Sequence, residues 1–530
     1  SIVNIKDIHK LEQATKKGRT ELFRLGLGLI FMVGVMLYAS AKGVAGNEGT
    51  LVIVIAAAIG AYMAMNIGAN DVANNVGPAV GSKALTLFGA LVIAAIFEAA
   101  GALIAGGEVV GTIRNGIINP NLITDSQTFV WIMMAALLAA ALWLNVATAI
   151  GAPVSTTHSI VGAIIGSGIA ASGMDIVNWG KMTEIAASWV ISPVLGGLVA
   201  AAMLYFVKRT IIYQSDMVGA ARKIVPWLIA FMGWTFGTYL ILKGLNRVWK
   251  VSFLDASLIG VGIAVLLFLF TRWRLSQFSP QQDAKQSVNQ LFTIPLIFAA
   301  ALLSFAHGSN DVANAVGPLA AIVDVYSSVD HIVHKEAAIP MWVMVVGALG
   351  ISLGLALYGP KVIRTIGSEI TDLDQTRAYC IAMSATITVI IASQMGMPVS
   401  STHIAVGGVF GVGFLREYLK YNYDKMVAQI KAHHPEGDQV AIDAFLAKFN
   451  KASIDEKGVL LRELKAQAKR QMDPAHFSKA ERNALKKVYR TQLVQRSQLL
   501  RIAAAWVITV PATALMAGLI FFIIKGVTAS

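Results

Sequence analysis

Cysteine and charge are what this chain has little of. One cysteine stands among 530 residues, Cys380, inside an apolar run. That excludes a disulfide framework and a cysteine-based metal cluster, leaving Cys380 as a small core residue. Charged residues are 14% of the chain against 56% hydrophobic, and the mean hydropathy is +0.65. A soluble fold of this size needs more polar surface, so the composition points to a polytopic membrane protein. No cleavage site follows residues 1–24, which carry six Lys and Arg against three Asp and Glu. They are expected to stay as a cytoplasmic arm rather than leave as a signal peptide. The surplus of 13 positive charges does not call for nucleic acid. Lys and Arg gather between apolar runs of about 17–25 residues, the length that spans a bilayer, so positive-inside bias explains them.

Those runs lie near 25–45, 51–67, 85–106, 129–150, 184–207, 226–245, 255–271, 292–307, 340–358, 377–395 and 499–525. Two shorter Gly-broken pieces, 154–170 and 399–415, open on Pro-Val-Ser or its continuation. They suit re-entrant hairpins, because non-helical backbone at membrane depth is tolerated only where protein or a cavity satisfies its polar groups.

The chain repeats itself. Gly68-Ala69-Asn70-Asp71-Val72-Ala73-Asn74-Asn75-Val76-Gly77-Pro78 returns at 308–318 with nine of eleven positions identical. Gly151-Ala152-Pro153-Val154-Ser155-Thr156-Thr157-His158 returns at 396–403 with six of eight, and Val161-Gly162 recurs as Val406-Gly407. A weaker echo is Thr112-Ile113-Arg114 against Val362-Ile363-Arg364. Three echoes in one order mean an internal duplication, roughly 50–207 against 291–525. With the basic arm inside, the run into Asp71 starts outside, whereas the run into Asp311 follows the loop carrying Arg272, Arg274 and Lys285 and starts inside. The expected fold is therefore all-α and polytopic, with two inverted-topology repeats, discontinuous helices and two re-entrant hairpins.

The expected organisation is an arm at 1–24, a first span at 25–49, repeat 1 at 50–207 and linking helices and loops at 208–290. Repeat 2 follows at 291–415, with a cytoplasmic helical insertion at 416–498 and a final span at 499–530. The insertion holds 17 Lys and Arg with 10 Asp and Glu, and Leu460-Leu461-Arg462-Glu463-Leu464-Lys465 reads as amphipathic helix. A solvated or head-group-facing linker and a regulatory role explain it equally well.

Asn70, Asp71 and Asn74, with Asn310, Asp311 and Asn314, set oxygen-rich side chains beside glycines at lipid depth. A buried carboxylate needs a partner, and hard cations prefer oxygen, so an alkali-ion site is expected at each copy. Polar kinks that merely cap helices would explain one copy better than two, and protonation of the two acids, with H⁺ as coupling ion, is the alternative. Ser155, Thr156 and Thr157, with Ser400, Ser401 and Thr402, each follow a proline able to occupy the first turn of a helix, where unpaired N–H groups favour anions. Two such ends would hold a small tetrahedral anion, phosphate or sulfate. His158 and His403 lack an acid partner for hydrolase chemistry and are expected as packed, hydrogen-bonded side chains. Glu98 is a lone acid in an apolar run, expected to help couple an ion or else to pair with a cation such as Arg114. Gly77 to Lys83 has neither P-loop spacing nor a preceding strand, which leaves an ATP-driven pump unsupported.

The paired Gly-[Ala/Ser]-Asn-Asp-Val-Ala-Asn and Pro-Val-Ser-[Ser/Thr]-Thr-His motifs resemble those of the inorganic phosphate transporter (PiT) family. The resemblance covers nearly all the membrane part. It implies no enzyme and no resident cofactor. It implies a carrier importing inorganic phosphate with Na⁺ as coupling ion, phosphate between the hairpin tips, Na⁺ at Asp71, Asn70, Asp311 and Asn310, and often a homodimer. By motif position, Asp71 and Asp311 resemble the family's essential aspartates, and Glu98 with Gly101 resembles its Phe-Glu-x-x-Gly segment. Some sodium-coupled members carry a second glutamate where this chain has Ala382, which bears on ion stoichiometry. A plasma or inner membrane is expected, with the N-terminus in the cytoplasm. The same fold driven by H⁺ or moving sulfate is the near alternative and an anion channel the remote one, since channels line pores with fixed charge.

Overall fold

The computed structural model describes the chain apart from residues 1–4, 43–46, 124, 151–153, 245–247, 281–282, 329–337, 370–373, 435, 453, 471–475, 489–496 and 530. Gly151, Ala152 and Pro153 of the first hairpin motif therefore lie outside the described residues. Among the described residues there is no strand, only an isolated bridge between Ile118 and Val177.

The first half runs α1 (Ile5–Lys42), α2 (Asn47–Asn70), α3 (Val72–Gly81), α4 (Leu87–Ala105), α5 (Gly107–Asn115), α6 (Ser126–Ala149), α7 (Thr156–Ser172) and α8 (Trp179–Val207). Then come α9 (Met217–Gly244), α10 (Phe253–Ser276), α11 (Ala284–Leu291), α12 (Thr293–Ser327), α13 (Met341–Glu369), α14 (Gln375–Gln394) and α15 (Ser401–His433). The remainder is α16 (Glu436–Lys451), α17 (Ile454–Lys469), α18 (Lys479–Val488) and α19 (Ser497–Ala529). Side-chain caps start many of them: the oxygens of Thr86, Asp125, Asn178, Ser252 and Asp374 accept backbone N–H bonds from the first turns of α4, α6, α8, α10 and α14. Among the described residues, eleven helical stretches are long and apolar enough to cross a membrane, and each contains one of the eleven predicted runs or most of it. α1 joins the arm and the first span in one helix, and α15 passes through the boundary expected at 415.

The duplication shows in the packing. α13 lies along α2 while α4 lies along α12, and α19 lies along α7 while α8 lies along α15, so each half packs on the other's counterpart. Close backbone approaches repeat in the same register. A Cβ on Gly308 would sit 2.2 Å from the Glu98 carbonyl oxygen, and one on Gly68 2.0 Å from that of Ile351. Likewise a Cβ on Gly166 would meet Ala514 O at 2.0 Å, and one on Gly411 would meet Gly197 O at 1.9 Å. Glu98 thus corresponds to Ile351, and His307, just before Gly308, corresponds to Ile67.

Two expectations change. A helix break occurs at Asp71, between α2 and α3, but α12 runs unbroken through Asn310 and Asp311. Every residue from Ala299 to Val323 is buried, and packing on all faces holds that helix together. Pro78 and Pro318 lie inside α3 and α12. They lack the N–H that would otherwise bond the Asn74 and Asn314 carbonyls, so proline rather than a glycine kink frees backbone oxygen here. Nor does Pro398 occupy a first turn: α15 starts at Ser401 with Ser400 as its cap, and the proline precedes the cap. Serine wins that position because its side chain accepts a first-turn N–H, which proline cannot do.

The insertion carries its own small core, in which Ile430 of α15 and Ile442, Leu446 and Phe449 of α16 meet Leu460, Leu461 and Leu464 of the amphipathic α17.

Candidate functional site

The two repeated motifs converge at the centre of the bundle. Asn70 Nδ2 donates to Thr148 Oγ1 at 2.7 Å, and in the second copy Asn310 Nδ2 donates to Ser393 Oγ at 2.9 Å, fixing the two motifs to α6 and α14. The next asparagines cross between halves. Asn74 Nδ2 donates to Thr402 Oγ1 at 2.9 Å, and Asn314 Nδ2 reaches Thr156 Oγ1 and Thr157 Oγ1 at 3.1 and 3.2 Å. Thr157 Oγ1 in turn donates to the Val399 carbonyl at 2.9 Å, tying the start of α7 to the segment before α15. Asn310 Oδ1 accepts from Val399 N at 3.1 Å.

The two acids share a hydroxyl. Thr156 Oγ1 lies 3.0 Å from Asp71 Oδ2 and 3.0 Å from Asp311 Oδ2. A hydroxyl has one hydrogen, so it can donate to one carboxylate, and the other approach needs a proton or cation to be favourable. Asp71 Oδ1, Asp311 Oδ1 and Asn314 Oδ1 are buried acceptors with no hydrogen-bond partner, and Ser401 Oγ is buried and unpartnered too. Unsatisfied carboxylate oxygens this deep are costly.

Ser155 and Ser400 cap α7 and α15 in the same way, each Oγ accepting from the backbone N–H of the histidine three residues on, at 3.2 and 3.3 Å. Thr156, Thr157, Ser401 and Thr402 occupy the first turns, where N–H groups have no intrahelical acceptor. His158 and His403 pack behind these tips in a row of four rings. The centroids are 3.9 Å apart from Trp189 to His158, 4.6 Å to His403 and 3.7 Å on to Trp506. They are packed as expected, but neither ring nitrogen of His158 has a hydrogen bond.

His307 is the site residue that motif reading missed. Its Nδ1 lies 2.8 and 2.9 Å from the two oxygens of Glu98, and its Nε2 lies 2.8 Å from Asp311 Oδ2, out of line for a hydrogen bond, and 3.9 Å from Asp71 Oδ2. Glu98 also accepts from Asn75 Nδ2 at 2.9 Å, so its oxygens are taken by His307 and Asn75 rather than by Arg114. The signal was one residue outside the repeat, a polar side chain where the first copy has Ile67. Asp71, His307 and Asp311 each offer a ligand atom within 4.8 Å of the others.

A family model described as the phosphate transporter family matches residues 67–517. The chain belongs to that family. Similar members include a provisionally named phosphate permease of Helicobacter pylori, 51% identical over 525 residues and covering 98% of each chain. Another, of Pyrococcus abyssi, is 39% identical over 358 residues, covering 68% of this chain and 87% of the relative. Among solved structures, "The sodium-dependent phosphate transporter" superposes with a TM-score of 0.71 at 30% identity, covering 90% of this chain and 99% of that one. Members of the family are transporters, not enzymes.

Proposed function

We propose that this phosphate transporter imports inorganic phosphate together with Na⁺ by alternating access, from two inverted-topology repeats whose hairpins re-enter the membrane. The observation that carries the reading is the set of unpartnered oxygens, Asp71 Oδ1, Asp311 Oδ1 and Asn314 Oδ1, around two acids that share the Thr156 hydroxyl. Oxygen donors of this kind suit an alkali cation at each aspartate, with Asn70, Asn310 and the carbonyls of Asn74 and Asn314 as the further oxygens in the neighbourhood. Neutralising the two carboxylates removes the repulsion an anion would meet. The capped ends of α7 and α15 then offer first-turn N–H groups with Ser155, Thr156, Thr157, Ser400, Ser401 and Thr402 as donors. For the anion to enter, the Thr157 bond to Val399 opens. The charge pattern puts the pseudo-twofold axis in the membrane plane and the N-terminus in the cytoplasm.

His307, set among three carboxylates, favours a second reading in which H⁺ is the coupling ion. Labelled phosphate uptake into proteoliposomes, with Na⁺ and pH gradients imposed separately, decides between them. A Na⁺ gradient at equal pH is expected to drive accumulation. Accumulation with a pH gradient alone would transfer the coupling to H⁺, and preferential uptake of sulfate would change the substrate.

A further inference from the structure

The insertion assembles a group of side chains that the central site does not use. His434 follows the end of α15, Asp438 stands in the first turn of α16, His476 precedes α18, and Glu481 stands in the first turn of α18. Asp438 Oδ2 lies 3.6 Å from His434 Nδ1 and 3.2 Å from His476 Nδ1, and Glu481 Oε2 lies 3.2 Å from His434 Nε2. The scaffold around them is packed. Phe477, next to His476, is buried in the small core, its ring 5.3 Å from that of Phe445 and 6.1 Å from that of His434. Gln439 Nε2 donates to the Lys431 and His434 carbonyls at 2.7 and 3.3 Å and fixes the corner between α15 and α16.

Ion pairing accounts for part of this, since His476 Nδ1 and His434 Nε2 stand at hydrogen-bond distance from Asp438 and Glu481. It does not account for His434 Nδ1, which at 3.6 Å from Asp438 Oδ2 is beyond hydrogen-bond reach. Two features match metal ligation instead. Zn²⁺ holds imidazole nitrogen and carboxylate oxygen at about 2.0–2.2 Å, so neighbouring ligand atoms of a tetrahedral site stand about 3.3–3.6 Å apart. The two separations at Asp438 Oδ2 lie close to that spacing. A ligating histidine also turns its other ring nitrogen to a carboxylate, and His434 does so to Glu481, which Ser478 N holds in turn at 2.7 Å. His476 keeps a left-handed backbone angle, φ 49°, which side chains rarely adopt and which gathers at ligand clamps.

We infer that His434, Asp438 and His476 bind a divalent transition-metal ion, with Zn²⁺ the best match, and that Glu481 positions His434 for it. Two imidazoles and one carboxylate select such an ion over Mg²⁺ or Ca²⁺, which take oxygen ligands. The side chain of His476 is 71% exposed, so it is free to turn its ring towards His434 and close the set, and solvent supplies the fourth ligand. The ion then ties the far end of α15, the helix whose first turn carries Ser401 and Thr402, to α16 and the segment before α18.

The test is zinc binding by the full chain in detergent, read by competition with a chromophoric chelator at fixed pH and Na⁺, so that no transport step enters the readout. The wild type is expected to bind Zn²⁺ in the presence of excess Mg²⁺. His476→Ala and Asp438→Asn are each expected to weaken binding about tenfold or more and Glu481→Gln about ten- to a hundredfold, while His476→Cys, whose thiolate is also a zinc ligand, keeps it. His476→Ala is expected to retain phosphate uptake in metal-free buffer, which shows that the chain is folded. Asp71, His307 and Asp311 also stand close enough together to hold an ion, so Asp311→Asn is the control and is expected to leave the affinity unchanged. Affinity lost in Asp311→Asn but kept in His476→Ala would put the metal in the central site and overturn the inference, and so would a wild type that binds no Zn²⁺.

Discussion

Asp71 and Asp311, 240 residues apart in the chain, each place one carboxylate oxygen 3.0 Å from the same hydroxyl, Thr156 Oγ1. One residue in the first turn of α7 thus lies beside the aspartate of both copies of the motif. In the proposed cycle this makes cation binding and substrate binding a single event, since whatever neutralises the acids also repositions the hydroxyl.

Thr156→Val, which keeps shape and removes the hydroxyl, is expected to lower phosphate uptake at least tenfold and to raise the Na⁺ concentration needed for half-maximal rate. Thr156→Ser restores the hydroxyl and most of the activity. Uptake against Na⁺ concentration in proteoliposomes checks both, and equal behaviour of Val and Ser would remove Thr156 from the coupling.

Asp71→Asn and Asp311→Asn are each expected to cut sodium-dependent uptake by tenfold or more at unchanged membrane expression. A hydrogen bond to a charged group is worth about 1.5–3 kcal/mol, which is roughly one to two decades in binding. Full transport by the double variant would leave the acids without a role.

Glu98 and His307 form a buried pair that the other half replaces with Ile351 and Ile67. Removing one partner of such a pair costs about 3–5 kcal/mol, while replacing both by apolar groups is often neutral. Glu98→Ile and His307→Ile are therefore each expected to lower the melting temperature more than the double variant does. Additive losses would show that the two side chains do not act as a pair.

Gly166→Ala and Gly411→Ala introduce a methyl about where Ala514 O and Gly197 O already stand, at 2.0 and 1.9 Å. Overpacking at a close-packed crossing typically costs about 1–3 kcal/mol. Both variants are expected to lose thermal stability in size-exclusion melting assays, by similar amounts because the two crossings are equivalent.

The insertion carries a pH dependence of its own. Burial would raise the Glu481 carboxyl, but Ser478 N at 2.7 Å and His434 Nε2 at 3.2 Å, with the Ser478 hydroxyl, hold it below the usual range. A depressed carboxyl contributes stability above its unfolded pKa and loses it as pH falls through the folded one. Wild type and Glu481→Gln are therefore expected to differ in melting at neutral pH and to converge below about pH 4, the ordinary carboxylate range.

Much of the geometry was legible in the sequence because the chain repeats two polar motifs. The Asn-Asp and Ser-Thr motifs pointed to side chains that the structure brings together, Asp71, Asp311, Asn74 and Asn314 meeting Thr156, Thr157 and Thr402, and the apolar runs coincide with helices long enough to span a membrane. His307 was not legible, since its counterpart is Ile67 and a repeat search discards what does not repeat. The unbroken course of α12 was hidden because glycine and asparagine argue locally for a kink, while burial on every face of that helix decides otherwise.

Obligatory coupling is the central claim, and reversing the driving force tests it most directly. Proteoliposomes given an inward phosphate gradient and no Na⁺ gradient are expected to accumulate labelled Na⁺, and Asp71→Asn to abolish that accumulation. Phosphate entry with no accompanying movement of Na⁺ would contradict the account.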